Sequence, residues 1–250
     1  MSDGADDEVI GSDGEEQGRR IGRRAVLSML GLGAAGVVFG SQLQSLVDRA
    51  LRPITVRDRT GITSYIPGTG RFRIYSVVGG FPKRTAAEYR LQVGGLVERP
   101  LSLTFEEIRS DLPQTMLTKD FQCVTGWRVE DVPWKGVKLA EVLDRAGVRA
   151  GATHLRLTSF DGTYTESLTL EQARQDDVLV AHEMLGQPVT REHGGPVRLY
   201  VAQMYGYKSL KWLDRIDVVD HLVPGYWEEL GYDVDAYVGR SNGRSDEPVK

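Results

Sequence analysis

The segment FQCVTGWR, Phe121–Arg128, contains the only cysteine among the 250 residues of the chain. Without a second cysteine the chain forms no intramolecular disulfide, no cysteine-rich zinc site, no cysteine-ligated iron–sulfur cluster and no haem attachment through a cysteine pair. Gly126 and the nearby tryptophans Trp127 and Trp134 indicate that Cys123 lies at a turn between two elements. A lone cysteine is usually a small buried hydrophobe, whereas a thiolate at such a turn is a candidate nucleophile or soft metal ligand.

Two glycine-containing segments farther along the chain carry basic side chains. The first is HGGPVRL, His193–Leu199, in which a glycine turn leads an arginine into a predicted strand. The second is YGYKSLKW, Tyr205–Trp212, a glycine loop that carries two lysines and a serine. Glycine lets a backbone approach a ligand closely, and arginine, lysine and serine side chains bind phosphate oxygens. The pattern indicates a phosphate site, although solvated surface loops also contain glycine and lysine.

The composition is that of a globular protein, with 40% hydrophobic and 26% charged residues. This content supports a packed core, so wholesale disorder of the chain is excluded. The formal net charge of -4 argues against a nucleic-acid partner, because nucleic-acid-binding domains normally present a basic face.

The first 47 residues predict an export signal. Residues 1–18 contain seven acidic residues and no basic residue, so we expect residues 1–24 to be a disordered acidic segment that ends in the pair Arg23-Arg24. Residues 25–47 are largely apolar, and an arginine pair before such a segment resembles a signal for the twin-arginine export machinery. The alternative is an uncleaved membrane anchor with its basic end inside. Both interpretations place the rest of the chain in the periplasm or at the outer face of the cell membrane.

The remaining sequence predicts one mixed domain over residues 50–240 and a polar tail over residues 241–250. Alternating β-forming residues predict strands, and capping-box or glycine signals predict short helices. The predicted strands are 71–78, 89–93, 154–160, 163–168, 197–201 and 216–219, and the predicted helices begin near Thr104, Leu139 and Thr169. Because these elements lack regular βαβ spacing, the predicted fold class is α+β, with mixed β-sheets and short helices.

The cysteine segment and the basic segments together resemble the sulfite-oxidase-type molybdopterin-binding domain. FQCV and the following VPWKGV, Val132–Val137, resemble its cysteine segment, and HGGPVR with YGYKSLK resembles its cofactor-binding segment. GYW at Gly225–Trp227, followed by Gly231-Tyr232, resembles its C-terminal part. The resemblance covers roughly residues 70–235. It is greatest to the periplasmic protein-methionine-sulfoxide reductase catalytic subunits.

This resemblance implies an enzyme with a molybdenum-molybdopterin cofactor (Mo-MPT), in which the Cys123 thiolate binds the metal. Soft thiolate sulfur suits such a centre. The cofactor contacts that the resemblance implies are Tyr75, Ser76, Thr158, His193, Arg198, Ser209, Leu210 and Lys211. His193 stands where the sulfoxide-reductase branch has an asparagine, which would make this contact sensitive to pH. Lys208 is expected to matter less than Lys211, on which the family match falls.

The residues after the cysteine separate two substrate classes. Sulfite oxidases have a Gly-Asn-Arg-Arg cluster that suits an anion, whereas this chain reads TGWR and keeps only the second arginine position, Arg128. Trp127 makes the site more apolar, as in the sulfoxide-reductase branch. The resemblance therefore implies two-electron oxygen-atom transfer to reduce an S-oxide, either small or protein-bound. The alternative is sulfite-oxidase-like oxidation of an anionic sulfur compound that Arg128 would meet.

The sequence also bears on the source of electrons and leaves a different class of function open. Because the chain lacks haem and iron–sulfur ligands, electrons would pass through a separate redox partner, which in the resembling family is a membrane haem protein. The alternative class is a cofactor-free exported enzyme or binding module, in which His182 or His193 would act as the base for Cys123.

Overall fold

The computed structural model of the protein describes residues 72–250. The predicted acidic segment, the arginine pair and the apolar segment at 25–47 lie outside the described residues, as does the start of the predicted domain at residues 50–71. In the part of the chain that is described, no helix is long and apolar enough to cross a membrane.

Two β-sheets and a few short helices form the domain, which confirms the α+β fold class. The first sheet has the strand order β2-β1-β10-β5-β6, and the second has the order β3-β4-β7-β8, with β9 also paired to β7. The strands are β1 (Arg90–Gly95), β2 (Leu101–Thr104), β3 (Thr115–Gln122), β4 (Arg128–Lys138), β5 (His154–Ser159), β6 (Thr165–Thr169), β7 (Val178–Met184), β8 (Gln187–Pro188), β9 (Arg198–Val201) and β10 (Leu213–Val219). Strands β1 and β10 run parallel, whereas the other pairs are antiparallel, so the first sheet is mixed.

The predicted helix signals are confirmed. Helix α1 (Leu139–Ala146) ends at Gly147, whose φ of 72° lets its N–H bond back to the carbonyl of Leu143. Helix α2 (Leu170–Ala173) begins with the predicted capping box between Thr169 and Gln172. The capping box at Thr104 forms with Glu107, and the helical turn that follows is π-type over Glu107–Asp111.

The predicted strand at 71–78 is wrong, because residues 72–78 form no strand. Their backbone has no neighbouring strand among the described residues. The Phe72 ring packs instead 5.3 Å from the Phe121 ring, and the Tyr75 carbonyl accepts a hydrogen bond from Lys211. Residues 72–78 are half-buried or exposed without alternation, so the alternating sequence pattern did not indicate a strand here.

A hydrophobic cluster on the second sheet supports the cysteine turn. The rings of Trp134 and Tyr200 stack at a centroid distance of 4.1 Å, and the Tyr200 hydroxyl donates to the Asp120 carbonyl at 2.7 Å. Phe121 and Trp127 belong to the same cluster and stack at 5.7 Å on either side of Cys123 in the sequence. Buried aromatic packing therefore fixes both ends of the turn.

The C-terminal residues 241–250 pack against the domain. Ser241 and Val249 are buried, and Asp246 accepts a hydrogen bond from the Tyr205 hydroxyl at 2.8 Å. The Arg128 guanidinium donates to the carbonyls of Glu247 and Pro248. The segment predicted as a polar tail is thus tied to strand β4 and to the loop after β9.

Candidate active site

A cavity of about 500 Å³ opens where several loops meet, and its lining contains most of the residues that the sequence singled out. This volume lies within the range of small-molecule and cofactor sites. The loops are the β3–β4 turn, the segment before β9, the β9–β10 loop and residues 72–77. The predicted residues in its lining are Tyr75, Ser76, Cys123, His193, Arg198, Ser209 and Lys211.

Cys123 begins the turn between β3 and β4. Its N–H donates to the Trp127 carbonyl at 2.9 Å, and its carbonyl accepts from the Gly126 N–H at 3.0 Å. Gly126 adopts a φ of 100°, which disfavours other residues. The half-buried sulfur lies 3.2 Å from the Thr125 hydroxyl oxygen. The turn therefore presents one sulfur donor to the cavity.

Two glycines let the surrounding loops close on this sulfur. A Cβ at Gly206 would lie 2.4 Å from the Phe121 ring, and the Gly206 N–H donates to the Gln122 carbonyl at 2.7 Å. A Cβ at Gly194, whose φ is 101°, would lie 2.6 Å from the Lys211 side chain. Side chains at these positions would push the β9–β10 loop away from the cysteine turn and from the segment before β9.

Arg198 is a buried cation on the cavity wall. Its guanidinium donates to the carbonyls of Ser209 at 2.7 Å and His193 at 2.8 Å, and it lies over the Phe121 and Trp134 rings. Burial lowers the pKa of Arg198 to about 10. The guanidinium thus joins the two loops that flank the cavity.

Lys211 is a second cation on the wall. Its ammonium donates to the Tyr75 and Glu192 carbonyls and lies 4.4 Å from the Trp212 ring centroid. Burial and then repulsion by Arg198 lower the pKa of Lys211 to about 8, against a weaker opposite effect of Asp161.

Among residues 72–250 neither Arg198 nor Lys211 forms an ion pair with a carboxylate. Burial penalises such charges, and a nearby anion offsets that penalty. An anionic ligand in the cavity would therefore raise both pKa values.

Residues 72–77 form one wall of the cavity. Tyr75 remains mostly exposed, and Ser76 accepts a 3.4 Å hydrogen bond from the Val78 N–H. The ring of Phe72 lies 5.2 Å from the half-buried His193 ring. Burial, Arg198 and Lys211 lower the pKa of His193 in that order, so the imidazole is neutral at neutral pH.

Three predicted site residues lie outside the cavity lining. Arg128 donates to Gln122 at 2.6 Å and pairs with Asp120 at 3.3 Å, in addition to its contacts with the C-terminal carbonyls. Thr158 is paired with Thr165 and Arg215 within the first sheet. Leu210 packs in the main hydrophobic core, and only its backbone contributes to the loop.

Several cavity residues were missed by the sequence reasoning. Strand β5, which carries Thr158, leads into the cavity wall three residues later at Asp161, and Tyr164 follows in the same hairpin. The C-terminal aromatic residues of the resembling segment also line it: Tyr226, Trp227 and Tyr232. The hairpin turn was visible in the sequence, but its proximity to the cysteine follows only from the packing of the two sheets.

Of the two candidate bases for Cys123, His193 lines the same cavity as the cysteine, whereas His182 does not. The thiol of Cys123 contacts Thr125, whereas the Nε2 atom of the buried His182 lies 2.7 Å from the Gln114 amide oxygen. His182 is absent from the cavity lining.

The donor set suits a cofactor that brings most of its own metal ligands. In residues 72–250 no group of three or more histidine, cysteine, aspartate or glutamate side chains could hold a metal ion alone. One cysteine sulfur with two unpaired cations fits a soft metal that is carried by an anionic organic cofactor. Molybdopterin, with its dithiolene sulfurs and phosphate, has these properties.

Comparison with known proteins also indicates a molybdopterin-binding domain. Residues 78–227 match the family model described as the oxidoreductase molybdopterin binding domain. The chain is 37% identical over 145 residues to the uncharacterized oxidoreductase YuiH of Bacillus subtilis. The matched region covers 58% of this chain and 72% of YuiH. It is 33% identical over 178 residues to sulfite oxidase of Arabidopsis thaliana, and the matched region covers 58% of this chain and 45% of that protein.

Two further relatives extend the comparison. The protein-methionine-sulfoxide reductase catalytic subunit MsrP of Gluconobacter oxydans is 29% identical over 177 residues, with 64% of this chain and 56% of MsrP covered. The chain thus spans about half the length of its sulfite oxidase and MsrP relatives. The crystal structure of the sulfane dehydrogenase SoxCD from Paracoccus pantotrophus superposes with a TM-score of 0.54 at 26% identity, over 61% of this chain and 46% of that chain. The match overturns the cofactor-free alternative, and the chain belongs to the family of oxidoreductases with the sulfite-oxidase-type molybdopterin-binding domain, whose cofactor is molybdenum-molybdopterin.

Proposed function

We propose that the protein is an exported S-oxide reductase. Cys123 would hold the molybdenum, and Arg198, Lys211, Ser209 and His193 would bind the pterin and its phosphate. When bound, the cofactor supplies two-electron oxygen-atom transfer between sulfur and water. The polypeptide itself would orient the substrate against the metal side of the cavity and exclude bulk water from it.

The observation that carries the choice of substrate is the position of Arg128. An anionic substrate would need a free cation near the cysteine, but the Arg128 guanidinium is engaged by Asp120, Gln122 and the C-terminal carbonyls. Three cations line the cavity: Arg198 and Lys211 are assigned to the cofactor, and Arg73 lies on the wall that residues 72–77 form. Apart from the Thr125 hydroxyl, the lining near the cysteine is largely aromatic and apolar, and it includes Phe72, Trp127 and Trp227. Such a surface suits a neutral S-oxide with an apolar substituent.

Electron supply and location complete the proposal. With one cysteine the chain offers no cysteine-ligated iron–sulfur cluster and no haem attached through a cysteine pair, so a separate protein would deliver the electrons. A membrane haem protein outside the cytoplasm fits an enzyme whose first 47 residues resemble a twin-arginine export signal. The relatives named MsrP, which act on protein methionine sulfoxide, support a substrate that is a sulfoxide side chain or a small analogue of it.

The proposal is tested on purified, molybdenum-loaded protein with artificial redox dyes. Reduction of methionine sulfoxide by a reduced viologen is compared with oxidation of sulfite by ferricyanide, and Cys123→Ser serves as the matched control. We expect a larger kcat/KM for the sulfoxide and loss of both activities in the control. Oxidation of sulfite without reduction of any S-oxide would overturn the proposed reaction and establish the sulfite-oxidase-like alternative.

A further inference from the structure

A fully buried cluster of three ionisable residues lies directly behind the cavity wall. The Lys208 ammonium contacts Glu166 Oε2 at 3.1 Å, the Ser167 carbonyl at 2.9 Å, and Glu228 Oε1. The side chains of Lys208, Glu166 and Glu228 are at most 1% exposed. Two ionised carboxylates and one ammonium would leave a net buried negative charge, which is costly, so protonation of one carboxyl is favoured.

Of the two glutamates in this cluster, Glu228 is the ionised one. Besides Lys208, it accepts hydrogen bonds from the Ser167 hydroxyl at 3.0 Å and from the Gly225 N–H at 2.6 Å. These partners surround it with donors, and donors stabilise the ionised form. The extra proton of the cluster therefore belongs on Glu166.

The neighbouring tyrosine gives independent geometric support. The Tyr164 hydroxyl lies 2.8 Å from the Tyr207 carbonyl and 3.2 Å from Glu166 Oε1. A hydroxyl has one proton to donate, and a carbonyl can only accept. Both contacts are favourable when Tyr164 donates to the carbonyl and Glu166, in its protonated form, donates to Tyr164.

The electrostatics agree with this arrangement. Burial raises the pKa of Glu166 to about 7 even though Lys208 lowers it, and burial with the nearby Glu166 holds the pKa of Tyr164 well above its usual value. Tyr164 thus stays protonated while Glu166 titrates near neutral pH. The groups that face Glu166 are Tyr164, Tyr207, Lys208 and Glu228, and Asp235 acts on Lys208.

We propose that Glu166 is a proton reservoir for the cavity, and that the Tyr164 hydroxyl connects it to the substrate. This proposal rests on the proposed function. Reduction of an S-oxide breaks the S–O bond and consumes two electrons and two protons, R₂SO + 2H⁺ + 2e⁻ → R₂S + H₂O. The separate redox partner supplies the electrons, and water in the cavity supplies one proton. For the other, Tyr164 transfers its hydroxyl proton from the Tyr207 carbonyl to the substrate oxygen and takes up the proton of Glu166.

The cluster can hold Glu166 in both protonation states. After the proton leaves, the Glu166 carboxylate is stabilised by Lys208 and by the Ser167 N–H, which lies 3.3 Å from Oε2. Tyr164 lines the cavity and stacks on Tyr226, so its ring has little freedom to break the connection. Glu166 is then reprotonated from water along the same route. Glu166 acts through Tyr164 and is a positioning residue in this scheme.

The direct test is infrared spectroscopy of the holoenzyme as a function of pH. We expect the carbonyl stretch of a buried protonated carboxyl group that disappears with a midpoint near pH 7, as the pKa of Glu166 requires. The band should be absent in Glu166→Gln, which is isosteric, and present in Glu183→Gln. Glu183 is a matched control because its ion pair with Lys135 lies on β7, away from the cluster. If Glu166→Gln does not fold, Tyr164→Phe should still shift the frequency of the band, because its acceptor is lost.

Turnover supplies the second readout. In the wild type, kcat for S-oxide reduction by a dye should fall as pH rises through about 7, while KM changes little. Glu166→Gln should lower kcat by about 10²-fold, the lower end of what a positioned acid provides, and should lose this pH dependence. An unchanged pH profile in Glu166→Gln, or a wild type without the band, overturns the proposal.

The two proposals fail in different ways. If the holoenzyme only oxidises sulfite, the proposed function is wrong, and the relay is then measured in that direction, where protons are released. A Glu166 band with the same loss of kcat in Glu166→Gln would support the relay even then. S-oxide reduction that is indifferent to Glu166 would keep the proposed function and remove the relay.

Discussion

Two lysines three residues apart in the β9–β10 loop are expected to respond in opposite ways to removal of their charge. Lys208 is buried between the carboxyl groups of Glu166 and Glu228, whereas the partners of Lys211 among the described residues are carbonyls and aromatic rings. Lys208→Met leaves the Glu228 carboxylate buried without its cation. Breaking a buried ion pair in this way costs about 3–5 kcal/mol. For a domain of this size the midpoint of thermal unfolding should fall by roughly 10 °C.

Lys211→Met should leave the stability of the apoprotein unchanged or slightly raised. Burial already disfavours the Lys211 charge, as its lowered pKa of about 8 shows, so the folded apoprotein loses little when the charge is removed. The cofactor, in contrast, loses a charge-assisted contact of about 1.5–3 kcal/mol, which is roughly a tenfold to hundredfold loss of affinity. Arg198→Met should show both effects, because it also leaves the His193 and Ser209 carbonyls without their donor.

The assay pairs molybdenum content per protein, measured by mass spectrometry after dialysis, with urea unfolding of the apoprotein. The expected pattern is lost stability in Lys208→Met, lost molybdenum in Lys211→Met, and both losses in Arg198→Met. If Lys208→Met folds normally but loses the most molybdenum, the assignment of the loop is reversed. If all three keep full molybdenum, the cofactor phosphate does not bind at this wall.

The other predictions concern the metal ligand, the loop contact, the reservoir and export. Cys123→Ser should retain pterin but lose activity, because a hard hydroxyl replaces the soft thiolate; pterin fluorescence and turnover measure the two. Gly206→Ala should destabilise the fold by about 1–3 kcal/mol in urea unfolding, since its Cβ would overlap the Phe121 ring. For Glu166 the folded pKa exceeds the ordinary value of 4.5, so the unfolding free energy should fall by about 3 kcal/mol from pH 4.5 to 7 and then level off. Glu166→Gln should remove that slope in denaturation at each pH. Changing Arg23 and Arg24 together to lysine should trap cofactor-loaded protein in the cytoplasm, which cell fractionation would detect; normal export would point to a general secretory signal or an anchor.

Helix ends that depend on a hydrogen bond between residues close in the chain could be predicted from the sequence. Gly147 ends its helix because its positive φ lets it cap the last carbonyls, and Thr169 begins one because its hydroxyl bonds the Gln172 N–H. Such contacts join residues three or four positions apart. The local sequence therefore contains both partners of each contact.

Strands β3, β4 and β7 of the second sheet were not predicted. Strand β4 contains Pro133 and Gly136, which weaken any strand signal, yet it pairs with β3 on one side and β7 on the other. A Cβ at Gly136 would lie 2.3 Å from the Val180 carbonyl, so the glycine is required by the close approach of β7. The sequence pattern of one strand does not report that its neighbour comes so near.

The same distinction separates the site residues that were found from those that were missed. Cys123, Arg198 and Lys211 stand in short contiguous segments that resemble a known family, so their place in the cavity lining could be predicted. Glu166 could not, because an acidic residue in an alternating hairpin is usually a solvated one. Its burial depends on Lys208 and Glu228, which arrive from two other segments and supply the charge and the donors that a buried carboxyl needs. A lysine that resembled a phosphate ligand thus serves to keep two carboxyl groups inside the domain, and the proton that balances their charge is the one that the cavity can use.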